Sequence, residues 1–172
     1  RTKAGQALLP GTGYLELAAQ ALRGNGETGP FTIRDLYFFR PLEVSDDQTR
    51  EVRVKLARSD EGYALEVRSD IRFEGRHGFQ LNAQATLLPG PLPSVDSVDI
   101  AGLQERCPLH NEASAQGLRS PQEEHLNFGP RWRVLQSVAY GDKEGIAQLR
   151  LPPAFHGDLT EGYLMHPALL DL

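Results

Sequence analysis

Two closely spaced glycines, Gly11 and Gly13, stand directly before a run of residues with helical periodicity. Glycine-rich turns that open a helix can bind phosphate through their backbone amides. The dinucleotide fingerprint, however, needs a third glycine where this chain has Glu16, and the Gly-Lys-Ser/Thr of a phosphate loop is absent. We therefore interpret the turn as a helix N-terminus whose free amides face a polar group other than a nucleotide.

One cysteine and five histidines are the other side chains with catalytic or metal-binding potential. Cys107 has Arg106 as its nearby cation and no evident base, which argues against a nucleophilic role. A single cysteine also excludes an internal disulfide. No two histidines have the i, i+4 spacing of a helical zinc site, so we predict no metal.

Composition and charge narrow the class of protein. The chain has 172 residues, of which 40% are hydrophobic and 24% charged, as in ordinary soluble globular proteins. Its 18 basic residues are scattered among 23 acidic ones and the net charge is -5, which argues against nucleic acid binding. It contains no stretch of about 20 apolar residues and no signal peptide pattern, so we expect no membrane association and a cytoplasmic location.

A helix is predicted directly after the glycine turn. Apolar residues recur there at i, i+3, i+4, i+7 and i+8, namely at Tyr14, Leu17, Ala18, Ala21 and Leu22. Leu15 and Ala19 widen this apolar face, so we expect the helix to be buried on most sides. The glycines at 24 and 26 provide its end.

The hydrophobic period then changes from that of a helix to that of a strand. Residues 52–56 and 65–67 alternate between apolar and charged and flank a turn at 59–62, which predicts a hairpin. In residues 79–87 the odd positions are apolar and the even ones polar, and residues 31–44 supply an earlier strand. We expect this antiparallel sheet to wrap the helix.

The remainder predicts a connector and a second unit. Residues 88–120 are rich in proline and polar residues, with one short helix near 100–107. Beyond them we predict a short helix or turn at 121–128, strands at 134–140 and 146–151, and a helix with Pro167 at its first position. Because this second unit is too small to bury a helix like the first, we expect the chain to be a fragment.

Four segments resemble motifs of polyketide synthase dehydratase domains. Gly5 to Glu16, GQALLPGTGYLE, resembles the HxxxGxxxxP region with its PGxxYLE helix start. Further along, Phe128 to Trp132 resembles the YGPxF segment with phenylalanine in place of tyrosine, and Leu151 to Phe155 resembles LPxxF. His166 to Asp171 resembles HPxxLD. The four segments occur in the order of the family and cover nearly the whole chain.

The resemblance implies an α+β double hot dog, in which each of two tandem units is an antiparallel sheet around a central helix. We place the first unit, lacking its opening strands, at residues 1–88, the linker at 89–120 and the start of the second unit at 121–172. Family members begin before the first motif and extend beyond the last. The chain is therefore expected to be truncated at both ends.

The family's chemistry implies a role for Asp171. These domains remove water from a 3-hydroxyacyl thioester on an acyl carrier protein and give a 2-enoyl thioester, with histidine as base and aspartate as acid. Asp171 matches the acid. A solvated carboxylate in the first turn of a helix is the competing structural interpretation.

The position of the base histidine is open between two registers. Counted from Gly5 and Pro10, it falls at Arg1, whose guanidinium cannot accept a proton at neutral pH. Family members with the pattern HxxxGGxxLxPGTGYLE carry one more residue, which puts Ala4 at the first glycine and the histidine immediately before Arg1. The sequence GQALLPGTGYLELA favours this second register. In either register the base lies outside the chain or is replaced, so the activity of the chain alone is doubtful.

The resemblance also assigns substrate-binding positions and partners. The positions are Gly5, Pro10, Phe128, Gly129 and His166; we expect His166 to cap its helix or orient Asp171, and Trp132 to serve in packing. No cofactor is implied beyond the phosphopantetheine arm of the acyl carrier protein. Expected partners are that carrier, neighbouring synthase domains and a second copy in a homodimer. The alternatives are a double-bond isomerase, a pyran-forming cyclase or a non-catalytic structural remnant.

Overall fold

The protein consists of two compact units. The structure is a computed structural model and describes residues 1–92, 94, 96–112, 118, 121–160 and 162–171. The N-terminal unit is Ala4–Pro93, and the C-terminal unit is Ser94–Leu172 together with Arg1–Lys3. The units divide between residues 93 and 94, within the segment 89–120 that the sequence predicts as a linker. Parts of the expected linker, at 93, 95, 113–117, 119 and 120, lie outside the described residues.

The N-terminal unit contains one helix and two sheets. Its elements are β1 (Ala7–Leu8), α1 (Gly11–Gly24), β2 (Phe31–Phe38), β3 (Glu43–Val44), β4 (Val52–Arg58), β5 (Tyr63–Phe73) and β6 (Arg76–Pro89). The main sheet is antiparallel with strand order β2-β6-β5-β4, and β1 pairs with β3 in a separate ribbon. The predicted hairpin is therefore β4-β5. The strand expected over 31–44 is divided between β2 and β3.

Helix α1 packs against the main sheet as its periodicity predicts. Tyr14, Ala18 and Leu22 are buried on the helix and form one core with side chains of the central strands, namely Leu65, Val67, Ala83, Ala85 and Leu87. Within the helix only Gly11, Gln20, Arg23 and Gly24 are exposed. The helix ends at Gly24 with Asn25 as its C-cap residue, and Gly26 has a φ of 90°, a conformation that favours glycine.

Asn82 departs from the alternation predicted for β6. The pairing of β5 with β6 shifts register between Val67 and Arg68, so that Ala83 and Leu81 face successive residues of β5 and Asn82 is the extra residue of a bulge. Asn82 is fully buried instead of facing solvent. Its amide donates to the carbonyl oxygens of Arg40 and Pro41 at 3.4 and 3.3 Å. The alternation predicted Asn82 on the polar face of the strand. This was wrong because the bulge turns its side chain toward the interior.

The C-terminal unit contains a three-stranded sheet and short helices. Its elements are α2 (Ile100–Arg106), β7 (Leu109–Glu112), β8 (Leu135–Tyr140), β9 (Gly145–Leu149) and α3 (Pro167–Leu170), and 3₁₀ turns lie at Pro121–Glu124, Pro130–Trp132 and Pro153–Leu159. The sheet is antiparallel with order β7-β8-β9. Strand β7 lies in the segment expected to be a connector, where its sequence carries no clear alternation.

The C-terminal unit has a small apolar core of its own. Val134, Leu151 and Ala168 are buried, and the partly buried Trp132, Phe155 and Leu169 pack against them. The core thus joins the 3₁₀ turn at Pro130–Trp132 to α3. Within the described residues, the structure contains no helix of the length and apolar character needed to cross a bilayer.

Candidate active site

Asp171 directly follows the short helix α3. The helix starts where the sequence predicts, with Pro167 at its first position and His166 before it, but it ends at Leu170. Asp171 is therefore at the C-terminal end of the described helix and outside its first turn. The side chain is half-buried, and the indole Nε1–H of Trp132 donates a hydrogen bond to its Oδ2 at 3.1 Å. The carboxyl group is thus held in place by a directional contact.

His166 is buried and binds Asp158 instead of capping its helix. The residue occupies the N-cap position, but its side chain makes no capping hydrogen bond, so that expectation was wrong. Its Nε2 lies 3.1 Å from Asp158 Oδ2, and since a carboxylate only accepts, Nε2 carries the hydrogen. Nδ1 is buried without a partner among the described residues. The ring of Tyr163 packs on the imidazole at 4.9 Å between centroids.

Arg131 completes a charged cluster with Asp158 and His166. Its Nε donates to Asp158 Oδ2 at 2.6 Å, and its guanidinium lies 4.6 Å from the ring centroid of Phe155. The hydrogen bonds from Arg131 and then from His166 hold the pKa of Asp158 below its usual range. The cluster fixes the start of α3 to the turn that contains Arg131.

We expect Asp158→Asn to weaken the dependence of stability on pH in acid. Because the folded-state pKa of Asp158 lies below the unfolded value of about 4, its ionisation stabilises the fold fully above that value. The contribution is lost as the pH falls through the folded pKa. Melting temperatures measured from about pH 7 down to about pH 3 should therefore fall less steeply in the variant than in the wild type.

Asp142→Asn provides the control for this comparison. Asp142 is exposed in the turn between β8 and β9 of the same unit. Its substitution changes the same charge without touching the cluster. Equal pH slopes for Asp158→Asn and Asp142→Asn would contradict the stabilising role of Asp158.

Phe128 and Gly129 lie next to this cluster in the C-terminal unit. Gly129 is exposed and precedes the 3₁₀ turn, with its carbonyl accepting from the Trp132 amide at 3.0 Å. Phe128 is half-buried, and its ring stacks on Trp132 at 6.4 Å between centroids and 15° between planes. The structure thus brings Phe128, Trp132 and Asp171 into one series of contacts.

The N-terminal residues pair with the segment that precedes Phe128. The amino group of Arg1 donates to the Asn127 carbonyl at 2.8 Å, and the Asn127 amide donates back to the Arg1 carbonyl at 2.7 Å. Thr2 forms an antiparallel bridge with Leu126. Lys3 Nζ donates to the carbonyl of Glu123 at 2.7 Å. The base is expected at Arg1 or immediately before it. These contacts place that end of the chain in the same unit as Asp171.

Gly5 and Pro10 lie in the N-terminal unit. Gly5 is exposed and has a φ of 91°, a conformation that strongly favours glycine, and a Cβ atom there would contact nothing within 4 Å. Pro10 is the N-cap residue of α1, and its carbonyl accepts from the Gly13 amide at 2.9 Å. The glycine turn is therefore a helix start, as interpreted from the sequence.

An apolar cavity of about 320 Å³ lies beside the start of α1. Its lining comes from the segment Gly5 to Glu16 and from the end of β2. The lining residues include Leu8, Leu9, Gly11, Tyr14, Phe38 and Phe39. Phe38 and Phe39 are 55% and 52% exposed and lie outside the buried core. Burial raises the pKa of the Tyr14 hydroxyl above its usual range.

In the described part of the chain, no group of three or more histidine, cysteine, aspartate or glutamate side chains could hold a metal ion. His156 Nε2 lies 2.9 Å from the Leu151 carbonyl oxygen, which is a structural contact. Cys107 is buried.

Sequence reasoning missed three residues of this site. Trp132 was expected to serve in packing, whereas its indole also binds Asp171. Arg131 and Asp158 were not singled out, although they fix His166. The available signal was that Arg131 and Trp132 directly follow the Gly129-Pro130 pair, where a 3₁₀ turn can form. Such a turn points consecutive side chains in different directions, so both can make contacts of their own.

Comparison with known proteins identifies the family. The family described as "polyketide synthase dehydratase domain" matches residues 2–70, and "polyketide synthase dehydratase N-terminal domain" matches residues 95–172. Among curated proteins, polyketide synthase PksM of Bacillus subtilis (strain 168) is 23% identical over 97% of this chain. The chain spans only 4% of the length of that synthase.

Solved structures of dehydratase domains share the fold. The dehydratase domain from the CurF module of curacin polyketide synthase matches 99% of this chain with a TM-score of 0.81 and 22% identity, and 61% of that domain is covered. An aspartate-to-asparagine inactive mutant of the CurK dehydratase matches 98% of this chain and 60% of its own length, with a TM-score of 0.80 and 22% identity. A histidine-to-phenylalanine inactive mutant of CurK matches 96% and 58%, with a TM-score of 0.77 and 22% identity. The chain belongs to the polyketide synthase dehydratase family, as a domain of a modular synthase with the double hot-dog fold expected from its motifs.

Proposed function

We propose that this domain removes water from a 3-hydroxyacyl thioester carried on an acyl carrier protein. A base takes the C2 proton, and the electron pair of that bond forms the C2–C3 double bond. The C3–O bond breaks as an acid protonates the hydroxyl oxygen, and water leaves. The product is a 2-enoyl thioester on the same carrier, and the step needs one base, one acid and a donor to the thioester oxygen.

Asp171 is the acid in this proposal. The observation that carries the assignment is the hydrogen bond from Trp132, which orients a half-buried carboxyl group next to the Phe128-Gly129 segment. A general acid must be held in a fixed direction to transfer its proton efficiently. The inactive aspartate-to-asparagine and histidine-to-phenylalanine mutants of the CurK dehydratase support an aspartate and a histidine as the catalytic pair.

The pairing of Arg1 with Asn127 favours the second register for the base. In an antiparallel ladder that contains Arg1 with Asn127 and Thr2 with Leu126, a residue preceding Arg1 would pair with Phe128. Phe128 stacks on Trp132, which binds Asp171. A histidine at that position would therefore belong to the same group of residues as the acid. Arg1 itself cannot act as a base.

The remaining positions are assigned to substrate binding. The proposed donor to the thioester oxygen is the amide at the position of the motif glycine, which is Gly5 in the first register and Ala4 in the second. Pro10 sets the helix start beside the apolar cavity. Phe128 and Gly129 contact the acyl chain of the substrate in this proposal. His166 holds the start of α3 and thereby helps to position Asp171. The phosphopantetheine arm of the carrier delivers the substrate without a further cofactor. The carrier, neighbouring synthase domains and a second copy of the domain are the proposed partners.

Mass spectrometry of the carrier-bound product tests the activity. The intact synthase module that contains this chain is given a 3-hydroxyacyl acyl carrier protein, and loss of one water is expected. A product that keeps its water would contradict the proposal. A shifted double bond, or a ring closed without further mass change after dehydration, would assign the isomerase or cyclase alternative.

The codon before that of Arg1 separates the two registers. A histidine codon supports the second register and catalysis by this domain. Any other codon leaves Arg1 at the base position, in which case we expect no water loss and the non-catalytic alternative applies.

A further inference from the structure

Trp132 is held in one orientation by its surroundings. The indole packs against the small core of Val134, Leu151 and Ala168, and its face stacks on Phe128. Because these contacts fix the ring, its N–H points in one direction, toward Asp171 Oδ2 at 3.1 Å. It is the single tryptophan of the sequence.

Two consecutive residues of the turn control the two ends of α3. Arg131 reaches the start of the helix through Asp158 and His166, whereas Trp132 reaches its end at Asp171. The helix has only four residues and little stability of its own. The contacts of Arg131 and Trp132 therefore determine the direction of α3 and with it the position of the Asp171 carboxyl group.

We propose that Trp132 is a positioning residue that directs the catalytic proton of Asp171 to Oδ1. This inference rests on the proposed function. An indole N–H can only donate, so Oδ2 accepts from it. Because the carbonyl oxygen of a carboxylic acid is a better acceptor than its hydroxyl oxygen, this hydrogen bond favours the acid proton on Oδ1. During dehydration that proton passes from Oδ1 to the C3 hydroxyl oxygen, the C3–O bond breaks and the resulting carboxylate keeps the Trp132 hydrogen bond. The indole then stabilises the charge that develops on Asp171.

The charged groups around α3 are already paired with one another. Arg131 binds Asp158 at 2.6 Å, and Asp158 also accepts from His166 at 3.1 Å. The ring of Tyr163 also packs on His166, at 4.9 Å between centroids. The indole is thus the group whose removal changes the surroundings of Asp171 without changing a charge.

Trp132→Phe is the direct test in the intact synthase module. Phenylalanine keeps an aromatic ring in the core but removes the donor. With a 3-hydroxyacyl carrier protein as substrate we expect kcat to fall about tenfold while KM stays within about twofold, because Trp132 acts on the acid and not on substrate binding. A role of Trp132 in packing alone predicts a kcat near that of the wild type, because phenylalanine keeps the aromatic ring.

Phe155→Leu is the matched control. Phe155 packs against the same core as Trp132 but makes no hydrogen bond to Asp171. This variant disturbs the packing but keeps the Trp132 donor, so its kcat should stay above that of Trp132→Phe. If both variants lower kcat equally, or neither lowers it, the positioning role of Trp132 is wrong.

The indole signal in a ¹⁵N–¹H spectrum gives a readout that does not depend on activity. The signal is assigned by its loss in Trp132→Phe, and its chemical shift should change in Asp171→Asn but not in Asp142→Asn. An identical signal in the wild type and in Asp171→Asn would overturn the inference. If the wild type fails to remove water, the proposed function is wrong, and the indole signal still decides whether Trp132 binds Asp171.

Discussion

Asp171→Asn is expected to lower the rate of dehydration by roughly 10²–10⁴-fold, the range attributed to a positioned general acid. The amide has nearly the same shape, and its oxygen can still accept the hydrogen bond from Trp132. What it loses is a proton that can be transferred to the leaving hydroxyl. The measurement is the rate of water loss from a 3-hydroxyacyl carrier protein under single-turnover conditions, followed by mass spectrometry.

Asp142→Asn is the matched control for that loss. It makes the same substitution at an exposed turn of the same unit, and its rate should equal that of the wild type. Melting temperatures of both variants near that of the wild type would show that the fold is intact. Turnover by Asp171→Asn within a few-fold of the wild type would remove Asp171 from the acid role.

The sequence predicted the local structure around Asp171 better than the contacts of its side chain. The Asp171 segment was located from a motif, and Pro167 correctly predicted the start of its helix. The hydrogen bond between Trp132 and Asp171 joins residues 39 positions apart, and no local pattern encodes such a pairing. Asp158 was missed for the same reason, since its role depends on Arg131 and His166 meeting in the folded unit.

The fold shows the same division between local and long-range information. Helix α1 and the hairpin β4-β5 were predicted because their periods are regular over many residues. Asn82 was placed on the wrong face because a bulge depends on how two strands pair. Strand β7 was missed because its stability comes from pairing with β8 and its own sequence carries no alternating pattern.

Leu87→Ala is expected to destabilise the N-terminal unit by about 2–5 kcal/mol, the usual cost of removing a buried leucine and leaving a cavity. Leu87 is fully buried on β6, between Ile33 of β2 and Tyr63 of β5, and belongs to the core that packs on α1. Such a loss is a large part of the stability of a typical domain, about 5–15 kcal/mol. Hydrogen exchange of β5 and β6 amides measures it locally, and faster exchange is expected throughout both strands.

Leu92→Ala removes the same atoms from a side chain that is 59% exposed, and its effect should stay within about 0.5 kcal/mol. The contrast between the two leucines isolates the contribution of burial. Because α1 begins at the segment that contains Gly5 and Pro10, weakening its contact with the sheet also loosens the proposed thioester site. Leu87→Ala should therefore reduce dehydration together with protection from exchange, whereas Asp171→Asn should reduce dehydration alone. Normal protection of β5 and β6 in Leu87→Ala would mean that this core does not hold α1 in place.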